Sequence, residues 1–391
     1  MEAIDWSTAQ RVGEMIAGSP SSGGVRAAAV EPLAREFAER VAAYSGLELH
    51  RELPALEAVD RREWIAANLK SMRPLLAPLT ERLNEDKGRL AGPMRAASGL
   101  ALGAQVGALT GMLSQRVLGQ YDLALLDETV APRLLLLAPN LAQAAQNLHV
   151  DRDELVLWVT IHEITHAVQF SGTPWLREHM GSMIRELIDG LQAMAGGKKD
   201  DEQEDGRSSA SRFASSLRDG LSGLGGLSRS AFDTSELRSI VERARQGQFL
   251  RLTLGEDRWQ LVERMQAAMS LIEGHAEHTM DVIGADVLPS LPQLRAAMNR
   301  RRTQRGLPWR VLERLLGLEL KMRQYEVGRR FCDEVVRLGG PQTLALAWSE
   351  PAALPSTQEL EQPRAWVERM QGGSADKPED PTRTHVPPVT N

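Results

Sequence analysis

The chain has 391 residues and a formal net charge of −6, so it carries no global basic field and we expect no nucleic-acid partner. Its composition, 42% hydrophobic and 25% charged with 4% aromatic residues, is that of a globular protein rich in helix. Cys332 is the single cysteine, which excludes a disulfide framework and a metal site built from several thiolates. The sequence begins without the basic and apolar regions of a signal peptide, and we expect a cytoplasmic protein.

The first part of the chain predicts a succession of helices. Apolar residues recur at helical spacing over residues 32–44. Residues 92–118 are small and apolar, with glycine at every fourth position from Gly99 to Gly111. The uncharged stretch of about 19 residues is marginal for crossing a bilayer. We therefore expect no membrane span, and predict a buried helix whose glycine face admits a close neighbour.

The middle of the chain adds two strands and one long helix. Short apolar runs over 121–126 and 133–137 predict the strands of a small sheet. Asp151 can cap the next helix, Glu154 completes the capping pattern, and the helix should run to about Phe170. Charge followed by serine and glycine predicts a flexible insertion at about 196–229. Helices resume over 260–283 and 311–338, and the proline-rich and charged composition of 371–391 predicts a disordered tail.

The motif His162-Glu163-Ile164-Thr165-His166 carries the clearest chemical signal in the sequence. Two imidazoles four residues apart project from one face of a helix and can bind one Zn²⁺. Glu163 would lie near the open position of that ion, where it can take a proton from water and return it to a leaving amine. The histidines share a core-facing stripe, and buried imidazoles need partners, which a metal supplies. The motif therefore predicts a zinc site with Glu163 as the general base.

A third ligand has to come from elsewhere in the chain, because a catalytic zinc keeps three protein ligands and one open position. Gln169 and Gly172 stand where the metzincin pattern requires glycine and histidine. Residues 271–278 hold two carboxylates and two imidazoles on a predicted helix. Glu273 and His275 point about 200° apart on such a helix, so only one of them can face the ion. The alternative is a solvated helix face with ordinary charges.

The run Glu273-Gly274-His275-Ala276-Glu277 resembles the third-ligand helix of the gluzincin metallopeptidases, which reads Glu-Gly-x-Ala-Glu. The resemblance implies that Glu273 binds zinc. It also implies that Glu277 accepts a hydrogen bond from an imidazole N–H of His162 or His166 and so fixes its tautomer. Gly274 and Ala276 would be small so that the two motif helices can approach each other. His275 remains the competing third ligand.

The two motifs and the long gap between them also resemble an uncharacterised family of zinc-dependent, metalloprotease-like candidate hydrolases associated with deazaflavin-coenzyme biosynthesis genes. The resemblance covers most of the chain, to about Leu338. It implies a largely helical fold and supplies no substrate. Together with the two predicted strands, it leads us to expect a mainly α, multi-helix zincin-like domain with a small β-hairpin or sheet before the motif helix. We accordingly expect an N-terminal helical region over 1–118 and a zinc-binding metallohydrolase core over 119–350.

These observations predict a zinc-dependent hydrolase that acts on a peptide or amide bond. The alternative is a catalytically silent, zinc-stabilised interaction or scaffold protein. Glu163 favours the enzyme, because a structural zinc site has four protein ligands and needs no base. Tyr325, Arg323 and His275 are candidates for the donor that stabilises an oxyanion, and the sequence selects none of them. It also identifies no substrate-binding residues.

Overall fold

The computed structural model describes residues 3–18, 27–50, 52–86, 92–127, 129–196, 256–303 and 318–372. The predicted insertion at 196–229 lies outside the described residues except for Gly196, and the predicted tail lies outside them from residue 373. Within the described residues the fold is mainly helical with one small sheet, as the sequence predicts.

The first half of the described chain contains four helices and all three strands of that sheet. Their bounds are α1 Trp6–Ala17, α2 Ala27–Ser45, β1 Leu56–Val59, α3 Arg61–Asp86, α4 Gly92–Ser114, β2 Gly119–Asp122 and β3 Arg133–Leu137. The second half is helical. Its helices are α5 Ala138–Leu148, α6 Arg152–Gly172, α7 Pro174–Gly196, α8 Glu256–Val287, α9 Leu291–Thr303, α10 Leu318–Gly339, α11 Pro341–Ala345, α12 Thr357–Glu361 and α13 Pro363–Gly372, with two short 3₁₀ turns between α11 and α12.

The sheet has the strand order β1-β3-β2, with β3 parallel to β1 and antiparallel to β2. The predicted strand over 133–137 matches β3. Its predicted partner over 121–126 is shifted, because β2 ends at Asp122 and the chain turns there. The guanidinium of Arg177 on α7 donates to the carbonyl oxygens of Ala124 and Asp127 and holds this turn away from the sheet. The sequence did not predict β1, which contains only four residues.

Strand β3 is buried on both faces, which explains its unbroken apolar sequence. Successive side chains of a strand point to opposite faces. Leu134 and Leu136 accordingly enter the main core with α2, α5, α6 and α8, whereas Leu135 and Leu137 enter a smaller core with α1 and α3. The sheet therefore separates a layer formed by α1, α3 and α4 from α2 and the helices that carry the two motifs. The division of the chain into domains near residue 118 stays a prediction.

The glycine face of α4 lies directly against α1, as the spacing of its glycines predicts. A Cβ atom at Gly107 would overlap the carbonyl oxygen of Ala9, and one at Gly111 would lie 2.5 Å from that of Gly13. The N–H of Asp5 donates to the carbonyl of Gly99 over 3.0 Å. Residues 96–114 form a helix long and apolar enough to cross a membrane, and only 28% of this stretch is buried, so the predicted burial of the helix is partial. This one helix is weak evidence for a membrane span, because a core helix meets the same criteria.

Helix α6 begins as the sequence predicts and crosses the main core. The side chain of Asp151 accepts a hydrogen bond from the N–H of Glu154 over 2.9 Å. The predicted capping pattern would direct the carboxylate of Glu154 back to the N–H of Asp151. This carboxylate instead accepts from the N–H of Ser290 over 3.0 Å. This bond ties the start of α6 to the turn that follows α8. Leu155, Ile161 and Val168 are fully buried and fix the rotation of α6 in the core.

Helix α8 packs against α10 through a pair of glycines. A Cβ atom at Gly274 would overlap the backbone of Gly328, and one at Gly328 would overlap the carbonyl oxygen of Ser270. The prediction that Gly274 admits the other motif helix is therefore wrong, because the backbone that approaches it belongs to α10. Close contact with α10 sets the position of α8, and hence of Glu273, in the core.

Candidate functional site

The metal-ligand candidates come from α6 and α8, which pack against each other in the main core. His162 and His166 lie one turn apart on α6, and their Nε2 atoms are 3.2 Å apart. Glu273 of α8 places Oε2 at 3.6 Å from Nε2 of His162 and at 3.5 Å from Nε2 of His166. The three side chains are 19%, 12% and 14% exposed, respectively. Among the described residues, no other group of three potential metal ligands converges in this way.

This triangle of atoms has the dimensions of a zinc site. A tetrahedral ion with bonds of about 2.0–2.1 Å holds any two of its ligand atoms about 3.3–3.4 Å apart. The three observed separations, 3.2, 3.5 and 3.6 Å, lie around that value. All three atoms can present lone pairs, so they repel one another unless a cation or a proton lies between them. The number, type and spacing of the donors fit one Zn²⁺ ion.

The electrostatics of the three ligands show how strongly the site favours positive charge. Burial raises the pKa of Glu273, but the neighbouring imidazoles His166 and His162 outweigh it and hold that pKa well below its usual range. Burial lowers the pKa of His166, but the carboxylate of Glu273 outweighs it and raises the pKa to about 9. Without a metal, a proton on His166 therefore supplies the positive charge that Glu273 attracts.

Glu163 lies next to this triangle and is held by strand β2. Its Oε2 accepts a hydrogen bond from the backbone N–H of Tyr121 over 2.8 Å. Burial raises the pKa of the Glu163 carboxyl, with Glu273 adding to the increase and His162 and His166 opposing it. A Cβ atom at Gly119 would lie 2.9 Å from Oε1 of Glu163, so only glycine leaves room for this carboxylate. Glu163 is thus a buried, oriented carboxylate beside the candidate metal ligands.

Strand β2 forms an edge of the sheet that the structure describes, and its outer side faces Glu163. The N–H of Leu137 donates to the carbonyl of Leu118 over 2.9 Å, which fixes the hydrogen-bonding register of the pair. Antiparallel pairs alternate, so the backbone groups of Gly119 and Tyr121 point away from β3. The bond from Tyr121 to Glu163 is one result. On the face opposite α6, Gln120 accepts from the indole N–H of Trp64 on α3 over 2.7 Å.

Gln169 is the member of the site that sequence reasoning missed. Its Oε1 is 2.9 Å from Nδ1 of His166, and its amide nitrogen is 2.9 Å from both the carbonyl of Ile272 and Nδ1 of His275. Sequence reasoning placed Gln169 on the same helical stripe as the two histidines and used it to exclude the metzincin pattern, but gave it no role at the metal site. Its position three residues after His166, on the same helical stripe, was the available signal.

His275 lies away from the triangle of ligand atoms. Its ring contacts Gln169 and packs edge-on against Trp348, with the ring centroids 5.0 Å apart. Burial lowers the pKa of His275 to about 3, and positive charge on His278 and His166 adds to this effect. The structure therefore brings Glu273, and not the competing His275, to the two motif histidines.

Gln169, and not Glu277, is the hydrogen-bond acceptor beside one of the two motif histidines. Nδ1 of His166 faces Gln169, so Glu277 does not take that role for His166. Glu277 is buried one turn beyond Glu273 and interacts electrostatically with Arg295. A contact between Glu277 and His162 stays a prediction.

His278 does not join the ligand triangle. His278 lies between the hydroxyl of Tyr44 and the carboxylate of Asp333, each 2.6 Å from one of its ring nitrogens, and so links α8 to α2 and α10. Arg323 and Tyr325 belong to α10, and their side chains lie outside the described part of the structure. Their suggested role at an oxyanion stays a prediction.

Comparison with known proteins agrees with this geometry. The sequence model of the zincin-like metallopeptidase family matches residues 4–367. The chain belongs to this family. A solved structure from Chloroflexus aurantiacus, described as a candidate hydrolase with a novel fold, is similar at 28% sequence identity with a TM-score of 0.63. That match covers 94% of this chain and 99% of the other. No curated protein shows a significant match. The family and this relative support a metal-dependent hydrolase, as the sequence predicts.

Proposed function

We propose that the protein is a zinc-dependent hydrolase of peptide bonds, with His162, His166 and Glu273 as zinc ligands and Glu163 as the general base. The observation that carries the proposal is the convergence of three donor atoms, 3.2–3.6 Å apart, beside a separate buried carboxylate. A purely structural zinc site would need a fourth protein ligand and no base. Glu163 is oriented by Tyr121 and leaves the fourth position to water or substrate.

Each protein group has a distinct part in the proposed reaction. When bound, zinc polarises a carbonyl and lowers the pKa of a water molecule. Glu163 takes the proton from that water and returns it to the departing amine. Burial raises the pKa of Glu163, which makes its carboxylate a stronger base for taking the proton in the first half of the reaction. The hydrogen bond from Tyr121 N–H keeps the carboxylate in place during both transfers.

Strand β2 supports a peptide as the substrate. An extended peptide can add to the edge of a sheet through backbone hydrogen bonds. The backbone of Gly119 points to that edge, and the same residue lies against Glu163. A peptide paired with β2 would therefore run past the base. This arrangement supports a peptidase over an enzyme for small amides, which would gain nothing from an edge strand.

The proposal is tested by offering a mixture of random peptides and a panel of small amides to the zinc-loaded protein and to its Glu163→Gln variant. We expect the wild-type protein to cut peptides, as detected by mass spectrometry, and the variant to cut none. Cleavage of small amides alone would keep a hydrolase but reject the peptidase. A wild-type protein that holds one zinc and cleaves neither class would support the silent scaffold instead.

A further inference from the structure

Gln169 occupies a fully buried position between the two motif helices. It lies on α6 three residues after His166, and its side chain has no exposed surface. Its amide contacts three groups at the same distance of 2.9 Å: Nδ1 of His166, the carbonyl oxygen of Ile272 and Nδ1 of His275. No solvent competes for these bonds, so each buried polar group depends on the others for a partner.

The chemistry of these groups allows one orientation of the amide. A backbone carbonyl only accepts hydrogen bonds, so the NH₂ end of Gln169 must face Ile272 on α8. The oxygen end must then face His166, and since this oxygen only accepts, Nδ1 of His166 must carry a hydrogen. In the neutral ring, Nε2 of His166 is left with its lone pair. That lone pair points to the space shared with His162 and Glu273.

His275 completes this arrangement by accepting the second amide hydrogen. Its Nδ1 receives the N–H of Gln169, so in the neutral ring the hydrogen is on Nε2. The side chain is 1% exposed and packs against Trp348, which prevents the ring from turning away. His275 therefore supports the orientation that the carbonyl of Ile272 imposes on Gln169, and Gln169 determines which nitrogen of His166 is available.

We propose that Gln169 and His275 are positioning residues that hold His166 with its Nε2 lone pair directed at the metal site. The inference rests on the proposed zinc site and goes beyond it, because neither residue is a ligand. The commoner partner of a zinc-bound imidazole is a carboxylate or a backbone carbonyl. Here a neutral amide replaces it, and the buried site gains no further negative charge beside Glu163 and Glu273.

The closing experiment measures zinc affinity and the state of the His166 ring, and it does not depend on catalysis. Zinc dissociation constants come from competition with a chromogenic chelator. Gln169→Leu is expected to weaken zinc binding by about 10–100-fold, the usual effect of removing a partner of a ligand histidine. His275→Leu removes the acceptor at similar size and should weaken binding by a smaller factor. His275→Asn places an oxygen near the position of Nδ1 and should restore the wild-type affinity.

Gln146→Leu is the matched control, because Gln146 is exposed on α5. Wild-type affinity in Gln169→Leu or His275→Leu would overturn the proposal. Equal weakening in His275→Asn and His275→Leu would show that the ring acts only by filling space.

The second measurement uses metal-free protein labelled with ¹⁵N-histidine, so it separates this inference from the proposed function. The Nδ1–H of His166 should be visible and protected from exchange in the wild-type protein and in His275→Asn. It should exchange rapidly in Gln169→Leu. If the wild-type protein takes up no zinc but shows this protected hydrogen, the zinc hydrolase fails while the orientation of His166 stands. An unprotected or absent Nδ1–H in the wild-type protein would overturn the orientation.

Discussion

Tyr121 and Glu163 meet between the edge strand and the motif helix, where the backbone N–H of Tyr121 donates to Oε2 of Glu163 over 2.8 Å. This bond relates the base to the backbone against which we propose that the substrate lies. A substrate that pairs with β2 is then aligned with the proton acceptor by the same strand. The position of Glu163 therefore depends on the small sheet as well as on α6.

The first prediction concerns Glu163→Gln. A glutamine oxygen can keep the bond from Tyr121 N–H, so the variant should retain its fold and about one zinc per chain. Turnover should fall by about 100-fold or more, because an amide cannot take the proton from water. Steady-state kinetics measures the turnover and elemental analysis measures the zinc content. Glu178→Gln is the matched control, because Glu178 is exposed. Retained turnover would remove Glu163 from the mechanism.

The second prediction concerns Gly119→Ala. The added Cβ would lie 2.7 Å from Cγ1 of Val159 and 2.8 Å from Cγ of Glu163, so one of these side chains has to move. Displacement of a catalytic group by about 1 Å can reduce turnover by about 100-fold. We expect kcat to fall with zinc affinity unchanged, because Gly119 touches no proposed ligand. An unchanged kcat would mean that Val159 gives way and Glu163 does not move.

The third prediction ranks the metal ligands. His162→Ala, His166→Ala and Glu273→Ala should each lower zinc affinity by more than the 10–100-fold typical of an indirect partner, because two donors leave the ion under-coordinated. His275→Ala should still bind one zinc, with a smaller loss. Zinc titration of the metal-free variants measures the order, and Glu178→Ala serves as the control. The reverse order for Glu273 and His275 would contradict the ligand assignment.

The fourth prediction is a pH dependence of zinc uptake. In the metal-free protein the pKa of His166 is raised to about 9 by Glu273, so a proton occupies the ring at neutral pH. Zinc has to displace that proton, and its apparent affinity should rise by about tenfold per pH unit up to about pH 9. Calorimetry in buffers of different ionisation enthalpy should detect the released proton. An affinity that does not change between pH 7 and 8.5 would show that His166 is already neutral.

The sequence predicted most of the fold, because helix starts, glycine spacing and strand β3 depend on local chemistry. Asp151 and the glycines of α4 lie as their patterns indicate. Strand β1 and the true end of β2 could not be predicted from such short segments, because pairing with β3 and the bonds from Arg177 determine them. The expected cytoplasmic location and the association with deazaflavin-coenzyme genes stay predictions.

The residues of the candidate site could be predicted where a sequence motif contains them. They could not be predicted where only the packing of helices brings them together. Spacing alone placed His162, Glu163 and His166 together, and resemblance selected Glu273. The partner of His166 depends on how α8 lies against α6, and this packing makes Gln169 the acceptor for His166, one of the two histidines for which the resemblance implied Glu277. Similarly, Gly274 is small because α10 approaches it, a contact more than fifty residues distant in sequence.

The last prediction uses this helix contact to connect stability with metal binding. A Cβ atom at Gly328 would overlap the carbonyl oxygen of Ser270, and backbone on both sides leaves no flexible side chain to move aside. Gly328→Ala should therefore push α10 and α8 apart, lower the midpoint of thermal unfolding and move Glu273 away from the two histidines. Gly372→Ala is the control, since a Cβ atom there meets nothing within 4 Å. We expect weaker zinc binding in Gly328→Ala even at temperatures where circular dichroism shows it folded. If its stability falls but its zinc affinity matches that of the control, α8 positions Glu273 independently of α10.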